Sequence, residues 1–262
     1  DLHWVRLERA LSVSYDDETR KQAEFYKQLE LMSLSCTDLT LAITAEEKEQ
    51  MLREQPDSHI EILPNIHEID PGSKPFSERH GLMFIGGFWH KPNVDAIVYF
   101  ANEILPLIVE QLPDVVLYVI GSNMPETIKS MESGHIKPMG FVPDVSGYFE
   151  SCRVFVSPLR YGAGMKGKVG QSIALGLPVV TTSIGAEGMS LEHGKTALIA
   201  DTPEDFSAAI VQLHTDEAVW ETISSNAIRH LESNFSMHST KPRMEAIFSR
   251  KPSRNQSMAG EA

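Results

Sequence analysis

The sequence is poor in cysteine and has no long apolar run, no starting methionine and no excess of positive charge. Its 262 residues include two cysteines, Cys36 and Cys152. They lie far apart among apolar neighbours, so buried free thiols in a reducing, cytoplasmic compartment are expected rather than a disulfide. No apolar stretch approaches the ~20 residues needed to cross a bilayer. The opening DLHWVRLERA carries neither Met nor the apolar segment of a signal peptide, and the chain reads as a piece of something longer. A formal net charge of −13 argues against a general nucleic-acid or anionic-membrane surface. It leaves a phosphate ligand open, because charges beyond a Debye length of ~8 Å are largely screened. The histidines show no zinc-like spacing with each other or with the cysteines, so neither a metal nor another cofactor is expected.

The chain does have an ordinary globular composition, 42% apolar and 23% charged, and a glycine-rich loop at 158–178, PLRYGAGMKGKVGQSIALGLP. Strand-like runs at 154–157 and 179–182 flank it, giving the strand, loop, helix, strand unit that builds parallel sheets. Upstream, Asp16 begins a helix with Phe25, Leu29, Met32 and Cys36 on one face. Thr44 and Glu47 form a capping box between strands at 39–43 and 60–63. The polar 69–80 segment reads as a linker between an N-terminal part, 1–68, and a strand-helix series, 81–235. The remainder, 236–262, reads as a tail, disordered from about Ser249. Alternation of strands and helices makes the fold α/β, a Rossmann-like doubly wound parallel sheet.

The loop satisfies several phosphate motifs. Gly162, Gly164 and Gly167 match GxGxxG, with Glu187 about 20 residues on, but several strand-helix units precede it where a dinucleotide fingerprint opens its domain. Gly162 to Lys168 fits GxxxxGK, with Asp201 as an acid that a magnesium ion would need; Val169 stands where a P-loop NTPase has Ser or Thr. In either setting, N–H groups at a helix N-terminus together with Lys166 and Lys168 favour an anion. The bland alternative is a pair of solvated loop lysines.

The series FIGGFWHKPNVDAI, PDVVLYVIGS, GFVPDV and VSPLRYGAGMKGKVGQSIALGLPVVTTSIGAEGM, in that order over roughly 82–235, resembles the donor domain of the family 4 glycosyltransferases. These are retaining enzymes built from two facing Rossmann-like domains, the GT-B arrangement. DLHWVR, CTDLTLAITAEE and EILPNI resemble the end of the acceptor domain. The resemblance implies a nucleotide diphosphate sugar and a hydroxyl-bearing acceptor such as a glycan as partners. It places the diphosphate against Gly86, Gly87, Gly162, Gly164, Lys166 and Lys168. Many members carry Arg and Lys after the first glycine; Gly87 and Asn93 stand near those places here. The family's paired glutamates fall at Ala163 and Gln171, of which Gln171 can still bond a ribose hydroxyl. By the same resemblance Phe141 and Val142 lie near the base, with Phe141 equally open to a core position. His90 reads either as a phosphate or sugar contact or as a helix cap. Gly185 and Glu187 read as sugar contacts, with Glu187 equally open to capping a turn. His3, ending an expected strand, reads as an acceptor-side candidate or as structural. A non-catalytic nucleotide-sugar-binding module and a P-loop NTPase are the rival functions.

Overall fold

The computed structural model describes residues 1–249. Helix α1 (His3–Val13) packs on α2 (Asp17–Ser35), followed by β1 (Thr40–Ala42), α3 (Ala45–Glu54) and β2 (Ile60–Ile62). Strands β1 and β2 pair in parallel as a small separate sheet.

A second series then runs β3 (Leu82–Ile85), α4 (Lys91–Tyr99), a π-helical turn at Phe100–Ile104, α5 (Leu105–Val109), β4 (Leu117–Ile120), α6 (Glu126–Lys129), β5 (Ile136–Gly140) and α7 (Ser146–Ser151). It continues through β6 (Val154–Ser157), α8 (Gly167–Ala174), β7 (Val179–Thr181), α9 (Ser183–Ala186), β8 (Leu198–Ile199), α10 (Pro203–Thr215), α11 (Glu217–Phe235) and α12 (Met237–Ser249). The six strands lie in the order β5-β4-β3-β6-β7-β8, all parallel. This is the doubly wound Rossmann-like order, whose direction reverses between β3 and β6. Ligands of such sheets bind beyond the carboxyl ends of the strands at that reversal.

The sheet is buried on both faces, as continuous apolar strands imply. Leu82 and Phe84 of β3 enter one core cluster with Val154 and Val156, while Met83 enters the other with Phe155 and Val179. The helix from Lys91 to Val109 is long and apolar enough to cross a membrane by length and composition, with mean hydropathy 1.2. This departs from the expectation of no such run. Ile97, Phe100, Ile104 and Ile108 are fully buried against the sheet, so this is a core helix. Its π turn precedes Pro106, which has no N–H to continue the ladder and whose ring crowds the carbonyl four residues back.

Several expectations are corrected. His3 opens a helix rather than ending a strand. On α2, Asp16 caps the Thr19 N–H as read, but Phe25 and Met32 are each 60% exposed. The stripe facing α1, with Ala23, Tyr26, Glu30 and Leu34, is set about one residue round the helix. Cys36 is exposed and only Cys152 is buried; both are free. Residues 237–249, read as tail, form α12, which buries Thr240 and Ile247; of the residues expected to be disordered, Ser249 ends this helix and those from 250 onward lie outside the described ones. The 69–80 segment is no free tether. The Asp70 and Gly72 N–H groups donate to the carbonyls of Ala174 and Leu175, and Arg79, 1% exposed, donates to the carbonyls of Lys74, Phe149 and Cys152.

Candidate functional site

Two loops at the reversal point face each other across a cleft of about 390 Å³ lined by Gly86, His90, Asn93, Gly162, Lys166 and Lys168 among others. The first loop leaves β3 at Gly86. A Cβ there would lie 2.6 Å from the Asn93 amide nitrogen, so glycine lets that side chain close over the turn. The Asn93 amide then donates to the Gly87 carbonyl at 2.8 Å, and its carbonyl oxygen accepts from the Lys168 ammonium. Asn93 thus joins the two walls.

The second loop leaves β6 and is held along its length. Arg160 donates to both carboxylate oxygens of Asp95 on α4, and Thr182 donates to the Leu159 carbonyl at 2.6 Å. Gly164 adopts φ +67°, and a Cβ would come within 2.9 Å of Glu47; the positive φ alone favours glycine. Lys166 reaches back to the Gly164 carbonyl at 2.5 Å. Helix α8 begins at Gly167, and its first N–H groups have no carbonyl a turn earlier within the helix, which puts partial positive charge at the cleft.

The lysines are not solvated loop charges. Lys166 is 8% exposed, and burial lowers its pKa to about 8 despite the opposing pull of Glu187. Lys168 is half-buried, its ammonium 4.2 Å from the centre of the Phe84 ring. Burial, then repulsion from Lys166, lowers its pKa to about 7. His90 stands at the N-cap of α4 but its side chain makes no capping bond, which removes the cap reading. Burial and the charges of Arg6, Lys168 and Lys166 push its pKa down to about 4, so at neutral pH it offers the cleft a neutral imidazole.

The other candidates lie outside the lining. Glu187 does not cap a turn; its carboxylate takes a bidentate pair from Arg9 on α1 at 2.6 and 2.8 Å, with Lys166 at 3.6 Å. Burial opposes its ionisation, but Arg9 and Lys166 together hold its pKa below the ordinary value. The Gly185 N–H is already used by the Thr182 hydroxyl, and that of Ala186 by the Thr182 carbonyl. Phe141 is 73% exposed, which overturns its core reading, while Val142 is partly buried against the second cluster. Gln171 is exposed on α8. His3 bonds Glu30 at 2.8 Å and stacks on Tyr26. Ala163, where the resemblance places a glutamate, does border the cleft and packs in the cluster of Leu2, Trp4 and Val5; its small side chain lets α1 dock against the loop.

The NTPase reading loses its acid, because Asp201 accepts from the Ser183 N–H and hydroxyl at the start of α9. The dinucleotide reading fails on position, since the loop follows the fourth strand of the series rather than the first. Sequence reasoning missed Arg9. The pair Arg6 and Arg9 shows a basic helix face, but the partners of Arg9 lie 153 and 178 residues away.

The family profile of glycosyl transferases group 1 matches residues 79–216. A "putative glycosyltransferase YtcC" of Bacillus subtilis is 25% identical over 158 residues, which is 54% of this chain and 39% of that protein. An "uncharacterized 44.6 kDa protein in cps region" of Klebsiella pneumoniae is 24% identical over 163 residues, 59% of this chain and 42% of that protein. The chain therefore spans about two fifths of the length of these curated relatives. Anabaena HepE, solved in complex with UDP-glucose, superposes with TM-score 0.71 at 14% identity, covering 95% of this chain and 71% of that one; this likeness concerns the fold, which is GT-B. With more than half of its residues matched by the profile, the chain belongs to the glycosyl transferases group 1 family.

Proposed function

We propose that the protein of which this chain is a part is a retaining glycosyltransferase of the family 4 type, moving a sugar from a nucleotide diphosphate donor to an acceptor hydroxyl. The acceptor oxygen bonds to the anomeric carbon, the sugar's bond to the diphosphate oxygen breaks, its electron pair leaves with the diphosphate, and the hydroxyl proton is released. The observation that carries this reading is the cleft at the sheet's reversal point, where Lys166, Lys168 and the N-terminus of α8 converge beside the Gly86 turn. An anion there meets charge-assisted donors, each worth ~1.5 to 3 kcal/mol, plus up to ~2 kcal/mol from the helix terminus. The chain's contribution to catalysis is electrostatic stabilisation of the departing diphosphate and positioning. Lysine charge does this work, so donor binding is expected to withstand a chelator. The solved relative holding UDP-glucose supports the donor class, and the relative encoded in a cps region supports a glycan acceptor.

A second reading, a nucleotide-sugar-binding module without turnover, is favoured by one observation: Ala163 and Gln171 occupy the places where the resemblance expects acids, so that at Ala163 the cleft wall offers a ligand only a methyl group. Incubating the full-length protein with a panel of nucleotide diphosphate sugars, with and without glycan acceptors, separates the two. Transfer or donor hydrolysis supports the enzyme. Saturable binding with no release of nucleoside diphosphate supports the module, and no binding to any donor contradicts both.

A further inference from the structure

We propose that Arg9 is a positioning residue of the anion site, holding Glu187 neutralised and keeping it from closing fully on Lys166, so that part of the loop's positive charge stays available to the ligand. This rests on reading the cleft as a diphosphate site. Glu187 meets two cations, and both reach its Oε2. Arg9 meets both carboxylate oxygens with its planar fork, Nη1 to Oε2 at 2.6 Å and Nη2 to Oε1 at 2.8 Å, whereas the Lys166 ammonium stands 3.6 Å from Oε2, beyond ordinary hydrogen-bond distance. A bidentate guanidinium fixes the plane of its carboxylate in a way an ammonium cannot. Lys166 instead spends its hydrogen bond on the Gly164 carbonyl.

Arg9 also donates to the Gly162 carbonyl at 2.7 Å, so it sets both the backbone of the loop and the direction of the Glu187 carboxylate. It does so without facing the cleft. Its side chain borders a separate polar hollow with Trp4, Glu8, Ser12 and Gln50. The neighbouring cation on the same helix, Arg6, donates to Asp1 at 2.7 Å and does not compete for Glu187. Without Arg9, Glu187 becomes a half-buried carboxylate with no partner but Lys166. It would then close on that ammonium and set a negative charge beside the incoming phosphates.

The test is calorimetric titration of UDP into the chain as wild type, Arg9→Ala, Glu187→Gln and the double variant, with a thermal melt of each. One uncompensated charge roughly 10 Å from the ligand weakens binding about tenfold at a protein-surface dielectric. Arg9→Ala is expected to show that loss, Glu187→Gln to bind at least as well as wild type, and the double variant to return to near wild-type affinity. A purely structural role for Arg9 would leave the double variant as weak as Arg9→Ala, and that result overturns the inference, as does unchanged affinity in Arg9→Ala. If Arg9→Ala does not melt cooperatively, the double variant carries the test alone, and weak binding there overturns it. If UDP does not bind but GDP, ADP or CDP does, the four proteins are compared with that nucleotide; a wild-type chain that binds none of the four contradicts the diphosphate reading itself, a separate outcome that removes the inference with it.

Discussion

The loop between β6 and α8 carries two lysines two residues apart in opposite circumstances. Lys166 has a carboxylate nearby, shared with Arg9, and through it the loop is tied to α1. Lys168 has no carboxylate partner among the described residues; its ammonium meets an amide oxygen and an aromatic face, and ties the loop to the first glycine turn. Burial depresses both, but Glu187 pulls Lys166 back up while Lys166 pushes Lys168 further down. A partly buried ammonium without a counter-ion is costly to keep charged. Lys168 is therefore the group that an arriving diphosphate relieves most, and Lys166 the one already compensated.

Removing Lys168 should give the largest effect. Lys168→Ala is expected to weaken binding of the nucleotide diphosphate donor by about 10- to 100-fold, the value of one charge-assisted bond, as read by calorimetry. Its thermal stability should hold or rise. The folded state keeps the Lys168 pKa at about 7 against an ordinary 10.5, so between those values the unfolded chain holds the extra proton and stability rises with pH. The variant should lose that slope.

The pH dependence of binding sharpens the comparison. The ligand takes the protonated lysines, which the free protein begins to lose near pH 7 at Lys168 and near pH 8 at Lys166. Affinity for the nucleotide diphosphate donor should fall by roughly tenfold from pH 6.5 to 8.5 in wild type, and the onset of the fall should move upward in Lys168→Ala. Lys166→Ala should cost less than Lys168→Ala, about threefold in affinity, because part of its charge is already met by Glu187. If Lys166→Ala proves the more damaging, the ranking of the two lysines is reversed.

Smaller effects concern the frame. Gly164→Ala forces a side chain into φ +67° beside Glu47, which should cost about 1 to 2 kcal/mol and lower the melting temperature by a few degrees. Phe25→Ser on the exposed face of α2 should stay within about 0.5 kcal/mol of wild type.

That last variant also marks where sequence reading stops. The i, i+4, i+7 spacing of Phe25, Leu29 and Met32 reveals an apolar face but not what covers it, and α1 covers the neighbouring stripe instead. Strand and helix positions in 82–235 were legible because continuous apolar runs and glycine turns are local signals; β6 falls at the residues read for it, 154–157. The cleft was half legible. Gly86, Gly162, His90 and both lysines could be named from glycine spacing and from the resemblance, and all five line the cleft. What could not be read was environment: that the lysines are enclosed, that His90 is neutral, and that Glu187 belongs to Arg9. Each depends on residues brought together from distant parts of the chain, and periodicity carries no information about that.

The central claim is that this loop is a diphosphate site. Titrating a panel of nucleotide diphosphate sugars into the wild-type chain and into Lys166→Ala/Lys168→Ala, both shown folded by melting, tests it most directly. The account predicts saturable binding by wild type, on the order of 10 to 200 µM, and none detectable in the double variant. Equal affinity in the two proteins would contradict it.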